Sequence, residues 1–197
     1  MEVETDDMST DGVTRRLPRA QRREQILDAA TEAFARTGFA ATSLDDVAAQ
    51  AGVTRMIVYT HFESKTALYQ AVLDRMRDRL SASTGAPDFD RFSIAGLLAV
   101  AAAEPAGFRL LFHHAAREPE FRAEVDRMRA AGFEVAHRYL APTIPDPDWA
   151  DWACHLVPIV VQEAVIAWLD AGQPDPGTAA ERISMIIGGI EAAAKAR

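Results

Sequence analysis

The stretch of residues 51–65 constrains the fold of this chain more than any other part of it. Gly52 permits a sharp turn, and the hydroxyl of Thr54 can cap a short helix that ends near His61. Another helix opens at Ser64, which is a second candidate N-cap residue. Because a helix of about two turns is unstable alone in water, neighbouring helices must hold this one in place.

The short helix has two faces of different chemistry. Its apolar side is expected to pack inwards and holds Val53, Val58 and Phe62. Its other side is expected to face outwards and carries Arg55, Met56, Tyr59 and His61. An exposed, preorganised helix with these groups, followed by Lys65, suits the groove of double-stranded DNA.

Two further helices are expected before the short one. The first spans residues 18–37, with Pro18 in its first turn and Gly38 ending it. The second opens with Ser43 followed three residues later by Asp46, the pattern of a capping box. Two short helices joined by a glycine turn and braced by a longer helix predict a helix-turn-helix unit.

The remaining sequence keeps a helical periodicity, and no alternation typical of strands persists. Later helices are expected at residues 64–82, at 91–103, from Pro105, at 120–140, at 148–171 with Asp148 as cap, and at 178–194. The chain is therefore predicted to be all-α, with about nine helices. Residues 1–14 would be a disordered acidic tail, 15–63 the helix-turn-helix domain, and 64–197 a second helical domain entered by the linking helix 64–82.

The distribution of charge is compatible with a nucleic-acid partner although the net charge is −8. Residues 14–80 carry 11 Lys and Arg against 8 Asp and Glu, whereas both flanking segments are acidic. Attraction to phosphate depends on this local field. With one cysteine (Cys154), no secretory signal and no apolar run of about 18 residues, the chain is expected to be cytoplasmic, without a disulfide or a membrane partner.

Residues 22–72 resemble the DNA-binding domain of the TetR family of transcriptional regulators. The resemblance rests on an ordered set of motifs: Ile26-Leu27-Asp28-Ala29-Ala30, Phe34-Ala35-Arg36-Thr37-Gly38-Phe39, Thr42-Ser43-Leu44-Asp45-Asp46-Val47-Ala48, Ala51-Gly52-Val53 and Tyr59-Thr60-His61-Phe62-Glu63-Ser64-Lys65-Thr66-Ala67-Leu68. It implies a C-terminal domain that binds a small-molecule effector and forms a homodimer. It also implies that the effector alters the separation of the two reading helices and releases a palindromic operator.

The resemblance also implies which side chains contact DNA. Phosphate contacts fall on Thr42, Ser43, Tyr59, His61 and Lys65, base contacts fall on Arg55 and Met56, and Thr54 and Thr60 complete the expected set. Arg55 has the chemistry to bind guanine through two hydrogen bonds. Ile57 and Met56 both depart from the family pattern, in which smaller residues are frequent at these positions. The sequence leaves open whether the two side chains face a thymine methyl group or the core.

Five arginines cluster at the entry to the first helix: Arg15, Arg16, Arg19, Arg22 and Arg23. They are either an ordinary solvated surface or contacts to the DNA backbone and minor groove.

Aromatic residues of the second domain offer a candidate effector pocket: Phe108, Phe112, Trp149 and Trp152, with His155 as a polar partner. The alternative is that they are plain core. Pro158 removes one helical hydrogen bond, which predicts a kink and frees the carbonyl of Cys154 for a ligand or for solvent. The neighbouring His113 and His114 point about 100° apart on a helix, so no metal site is expected. No cofactor is expected either.

The last two long helices are the candidates for the dimer interface. Their apolar residues are Val161, Ala164, Val165, Trp168, Ile183, Ile186, Ile187 and Ile190, and Gly188 and Gly189 would let a partner approach closely. The same residues would also suit burial within one subunit, and the family resemblance favours a two-fold four-helix bundle.

The leading hypothesis is therefore a ligand-responsive repressor that is released from its operator by a small apolar or amphipathic effector. A ligand-independent DNA-binding regulator or an activator is the alternative. An enzyme with an appended DNA-binding domain is not expected, because the sequence lacks G-x-S-x-G, a phosphate-binding glycine loop and H-E-x-x-H.

Overall fold

The computed structural model describes residues 17–85 and 93–196, and every regular element within those two ranges is helical. The α-helices are α1 (Arg19–Ala41), α2 (Leu44–Gln50), α3 (Arg55–His61), α4 (Lys65–Thr84), α5 (Ser93–Ala103), α6 (Pro105–Arg109), α7 (Arg122–Leu140), α8 (Pro147–Asp170) and α9 (Pro176–Lys195). A π-helical turn at Leu110–His114 follows α6. The predicted all-α class is confirmed. The predicted acidic tail, together with Arg15 and Arg16, lies outside the described residues.

The first three helices end and begin where the sequence predicts. Gly38 interrupts the helical backbone of α1 with φ 82°, a conformation that favours glycine. The capping box of α2 is complete, because Ser43 and Asp46 each accept a hydrogen bond from the other's backbone amide. Thr54 caps α3 through the amide of Ile57.

One hydrophobic core runs from these helices into the second domain. At the junction, the ring of Tyr69 on α4 lies 4.9 Å from that of Phe34, 5.0 Å from that of Phe39 and 4.3 Å from that of Phe121, measured between ring centroids. Tyr69 and Phe34 are completely buried. The end of α1 therefore packs directly on the turn that leads into α7.

Three arginines spaced two residues apart connect α4 to three different neighbours. Arg75 forms ion pairs with Glu24 and Asp28 of α1, Arg77 pairs with Glu124 of α7, and Arg79 pairs with Glu104, which precedes α6. Through these ion pairs α4 is bound to α1 by one arginine and to the helices that follow it by the next two.

The far end of the second domain has its own smaller core between α7, α8 and α9. Asp146 caps α8 by accepting hydrogen bonds from the amides of Asp148 and Trp149. The prediction that Asp148 is the cap was wrong, because Pro147 already suits the first helical position and moves the start two residues earlier. The helix continues through Pro158, whose ring packs against Gly132 of α7. A Cβ atom added to Gly132 would lie 3.0 Å from the Cβ of Pro158.

α8 is also long and apolar enough, with 24 residues and a mean hydropathy of 1.5 over its most apolar window, to span a bilayer. The bent pair Ser93–Ala103 and Pro105–Arg117 meets the same criteria as a unit. Counting uninterrupted apolar residues missed both segments. In the structure α8 packs against α7 and α9, about a third of this apolar window is buried (33%), and Glu163 and Asp170 are exposed.

Candidate nucleic-acid interface

The outer face of α3 is exposed and its inner face is anchored. Met56 is 74% exposed and Tyr59 is 42% exposed, whereas Val58 and Phe62 are buried. Ile57 is partly buried and packs against the core. The sequence left open whether Met56 and Ile57 face outwards or towards the core. In the structure Ile57 packs on the core and supports the helix, whereas Met56 faces solvent.

Arg55 lies between two neighbours at the start of this face. Its Nη1 donates to Asp45 Oδ2 on α2 at 2.8 Å, and its Nη2 donates to the Tyr59 hydroxyl at 3.2 Å. The guanidinium also lies over the Tyr59 ring, 5.4 Å from its centroid. The hydrogen bond that Arg55 donates to Tyr59 and the charge of Asp45 raise the pKa of Arg55 above its usual value. Sequence reasoning missed Asp45, because the pair is ten residues apart and joins two helices.

The C-terminal end of α3 lies beside the arginines of α1. Burial and the positive charges of Arg19, Arg23 and Arg22 lower the pKa of His61. The guanidinium of Arg23 also stacks over the Phe62 ring at 5.0 Å. The described part of the arginine cluster therefore extends the same surface that α3 presents, rather than a separate one.

Lys65, at the start of α4, has contacts that the sequence did not indicate. Its Nζ donates to the carbonyl oxygens of Phe39 and Ala40 at 2.9 and 3.3 Å and lies 4.5 Å above the Phe39 ring centroid. An ammonium group has three donors, so one remains for a phosphate oxygen. Lys65 thus stabilises the end of α1 while its charge stays next to α3.

Thr42 departs from the expected contact set. It is only 2% exposed, and its hydroxyl is bonded to the Gly38 carbonyl and to Thr37 at 2.7 Å each. The expectation that its side chain touches phosphate is corrected accordingly, because the hydroxyl is used within the chain to close the end of α1.

The other hydroxyl residues remain on the surface. Ser43, Thr54 and Thr60 are exposed. Ser43 and Thr54 act as caps, and the hydroxyl of Thr60 donates to the Met56 carbonyl at 2.9 Å.

The five residues expected to line an effector pocket fall into two separate groups. Phe108 and Phe112 contact each other in the large core, with ring centroids 4.6 Å apart, and Phe108 is fully buried. Trp149 and Trp152 are exposed at the start of α8 and meet edge to face, while His155 stacks on Phe133 at 4.4 Å. The expectation that all five line one pocket is therefore corrected, because the helix packing separates the phenylalanines from the tryptophans.

The residues expected at the dimer interface divide by burial. Val165 and Ile183 lie in the protomer's own core, so their expected contact with a partner is corrected. Five others are partly buried beneath the surface, namely Val161, Ala164, Trp168, Ile187 and Ile190, and Ile186 is 44% exposed. Sequence reasoning missed Met185, which is 63% exposed and lies three and four residues before Gly188 and Gly189, both bordered by open space.

Residues 26–72 match the family model of bacterial regulatory proteins of the tetR family. The chain is 35% identical over 119 residues to the transcriptional activator FasR of Mycolicibacterium smegmatis, covering 56% of this chain and 54% of FasR. It is 48% identical over 56 residues to the transcriptional regulator TtgR of Pseudomonas putida, covering 28% of this chain and 27% of TtgR. The chain thus matches about half the length of one relative and about a quarter of the other.

The fold extends the similarity along most of the chain. A TetR-like transcriptional regulator from Rhodococcus sp. RHA1 superposes with a TM-score of 0.75 at 24% identity, covering 87% of this chain and 96% of that one. The match of residues 26–72 to the family model and the arrangement of the helices that follow point to the same fold. Residues 26–72 therefore match the DNA-binding domain of the tetR family, and the helical fold of the chain as a whole is similar to that of a TetR-like regulator.

Proposed function

We propose that this chain is a ligand-responsive transcriptional regulator that binds a palindromic operator as a homodimer, acts in the cytoplasm and catalyses no reaction. The observation that carries the proposal is the outer face of α3, where Arg55, Met56 and Tyr59 face solvent on a helix anchored by Val58 and Phe62. A short helix presented in this way fits the major groove. Arg19, Arg22 and Arg23 add positive charge beside it.

The proposal divides the contacting residues into two roles. Lys65 and the arginines of α1 would neutralise phosphates, and His61, which its lowered pKa keeps uncharged at neutral pH, would contact a phosphate through a hydrogen bond. These contacts set position and affinity without reading sequence. Arg55 would bind a guanine, and Met56 is placed to contact a neighbouring base.

The test is binding to a genomic fragment that carries the chain's own promoter, with an unrelated fragment of equal length as control, at rising salt. We expect a sequence-specific complex that persists at moderate salt. Lys65→Ala should weaken binding to every sequence and reduce the salt slope by about 1, whereas Arg55→Ala should remove about tenfold discrimination at one base pair per half-site. Thermal melting of Lys65→Ala checks that loss of its bonds to Phe39 and Ala40 has not unfolded the domain. Equal affinity of the wild-type chain for both fragments would exclude the proposal.

The effector site is proposed to lie beside Phe108 and Phe112, where α6 and the π-helical turn contact both α1 and α4. A ligand that moved this segment would shift the helices that support α3. All three tryptophans are in the second domain, so tryptophan fluorescence screens compound classes directly. Compounds that change both fluorescence and operator affinity support the proposal, and failure of every class to change either would leave a ligand-independent regulator.

An activator is the second candidate function, and it is favoured by the name of FasR, a transcriptional activator in Mycolicibacterium smegmatis. A promoter–reporter fusion measured with and without the gene separates the two. Higher expression without the gene indicates a repressor, and lower expression indicates an activator.

A further inference from the structure

Asp45 is an acidic residue on a surface that is otherwise suited to a polyanion. It lies in the first turn of α2, exposed, and contacts the residue of α3 with the best chemistry for reading a base. A carboxylate next to DNA opposes binding through its charge. We therefore expect Asp45 to make a favourable contribution that compensates for this repulsion of DNA.

We propose that Asp45 is a positioning residue that orients Arg55 to read one base pair, an inference that rests on the proposed function. Asp45 accepts a hydrogen bond from Arg55 Nη1 at 2.8 Å, and the Tyr59 hydroxyl accepts one from Nη2 at 3.2 Å. The guanidinium also lies over the Tyr59 ring. Two anchors from two helices define the plane of the guanidinium before any DNA arrives. The five N–H donors of arginine leave three for a guanine after these two bonds.

Asp45 is itself held in place. The neighbouring Leu44 and Val47 are buried, and the capping box between Ser43 and Asp46 fixes the start of α2. A free arginine side chain samples many rotamers and loses that freedom on binding. An arginine oriented beforehand loses less, and a wrong base cannot be accommodated by swinging the guanidinium elsewhere.

Opposite effects on affinity and on discrimination follow from this arrangement. The charge of Asp45 lowers binding to all DNA, while its bond to Arg55 increases the difference between the correct base pair and the others. Removal of the charge should therefore tighten binding to unrelated DNA and relax selectivity at one position. An acidic residue without the bond to Arg55 would affect only the first quantity.

The experiment compares Asp45→Asn with Glu63→Gln, which removes the same charge from an exposed position between α3 and α4. The probe is the duplex that the wild-type chain enriches from a random-sequence pool, with variants at each base pair of one half-site. We expect Asp45→Asn to reduce discrimination from about tenfold to about threefold at the base pair that Arg55→Ala makes indifferent. Both charge-removing variants should bind unrelated DNA about twofold more tightly. Only Asp45→Asn should change discrimination.

A double variant completes the test. Asp45→Asn added to Arg55→Ala should cause no further loss of discrimination, because the two residues act through one contact. Wild-type discrimination in Asp45→Asn, or an Arg55→Ala variant that still discriminates, overturns the inference while leaving DNA binding established. Failure of the wild-type chain to enrich any duplex would instead refute the proposed function.

Discussion

At the scale of single residues, Tyr69 is unusual because its hydroxyl is buried and makes no hydrogen bond within the described residues. Its ring fills the junction between Phe34, Phe39 and Phe121. Burial, followed by the charge of Glu118, raises the pKa of Tyr69 well above its usual value, so the group stays neutral. A buried hydroxyl that makes no hydrogen bond destabilises the folded state.

Tyr69→Phe should therefore increase the free energy of unfolding by about 1 kcal/mol, since the ring and its packing stay and only the unpaired oxygen goes. Urea denaturation at neutral pH measures it. Tyr139→Phe serves as the matched control, because Tyr139 is half exposed and removal of its hydroxyl should hardly change the free energy of unfolding. A loss of stability in Tyr69→Phe would mean that the hydroxyl is satisfied in solution.

The residue scale also separates what the sequence could predict from what it could not. Ser43, Thr54 and Ser64 were predicted as caps and act as caps, since a cap bonds within about three residues of itself. Lys65 bonds to carbonyls 25 and 26 residues away, and Arg55 bonds to a carboxylate on another helix. Such contacts depend on how helices meet, which local pattern does not encode.

At the scale of elements, Glu124 is one of the residues that attach α4 to the second domain. This carboxylate is 2% exposed, bonded to Arg77 at 2.7 Å and also to Arg127. Burial by itself would raise the pKa of Glu124, but the hydrogen bonds from Arg127 and Arg77 outweigh burial, and the pKa is lowered. The ionised form is therefore the one that stabilises the fold.

Glu124→Gln should reduce the free energy of unfolding by about 2 kcal/mol at neutral pH, because two bonds to charged donors are weakened. A group with a lowered pKa contributes stability above its unfolded pKa and loses it as the pH falls through the folded pKa. The difference between wild type and variant should therefore shrink below about pH 4.5. Denaturation curves between pH 3 and 7 measure this.

Asp126→Asn is the control for that series, since Asp126 lies on the same helix in an exposed pair with Arg129 and should change stability by less than about 1 kcal/mol. A pH-independent difference for Glu124→Gln would show that the side chain contributes shape rather than charge.

Elements also show why helix starts were predicted less well in the second domain. Asp146 and Asp148 both precede or open an apolar segment, and only the position of Pro147 decides between them. The π-helical turn at Leu110–His114 gave no sign in the sequence, because its residues keep an ordinary helical pattern. Around α2 and α3, by contrast, glycine and hydroxyl residues mark each boundary.

At the scale of the whole molecule, the exposed part of α9 is the feature that one protomer leaves unexplained. Met185 and Ile186 are large, apolar and exposed, and Gly188 and Gly189 beside them present bare backbone. A surface of this kind suits a second copy related by a two-fold axis, where each residue occurs twice in the contact. Two copies would also present two α3 helices, as a palindromic operator requires.

Met185→Glu should therefore convert the proposed dimer into a monomer, because a two-fold contact through this surface would bury two carboxylates. We expect the dissociation constant of the dimer to rise by at least about 100-fold, measured by sedimentation equilibrium without DNA. Met56→Glu is the matched control, since it places the same charge on another exposed methionine, on α3 rather than α9. That control should remain dimeric and lose operator binding. The Met185→Glu monomer should keep its helical content, and its affinity for a single half-site should equal its affinity for the full operator. A Met185→Glu chain that stayed dimeric would place the interface on another surface.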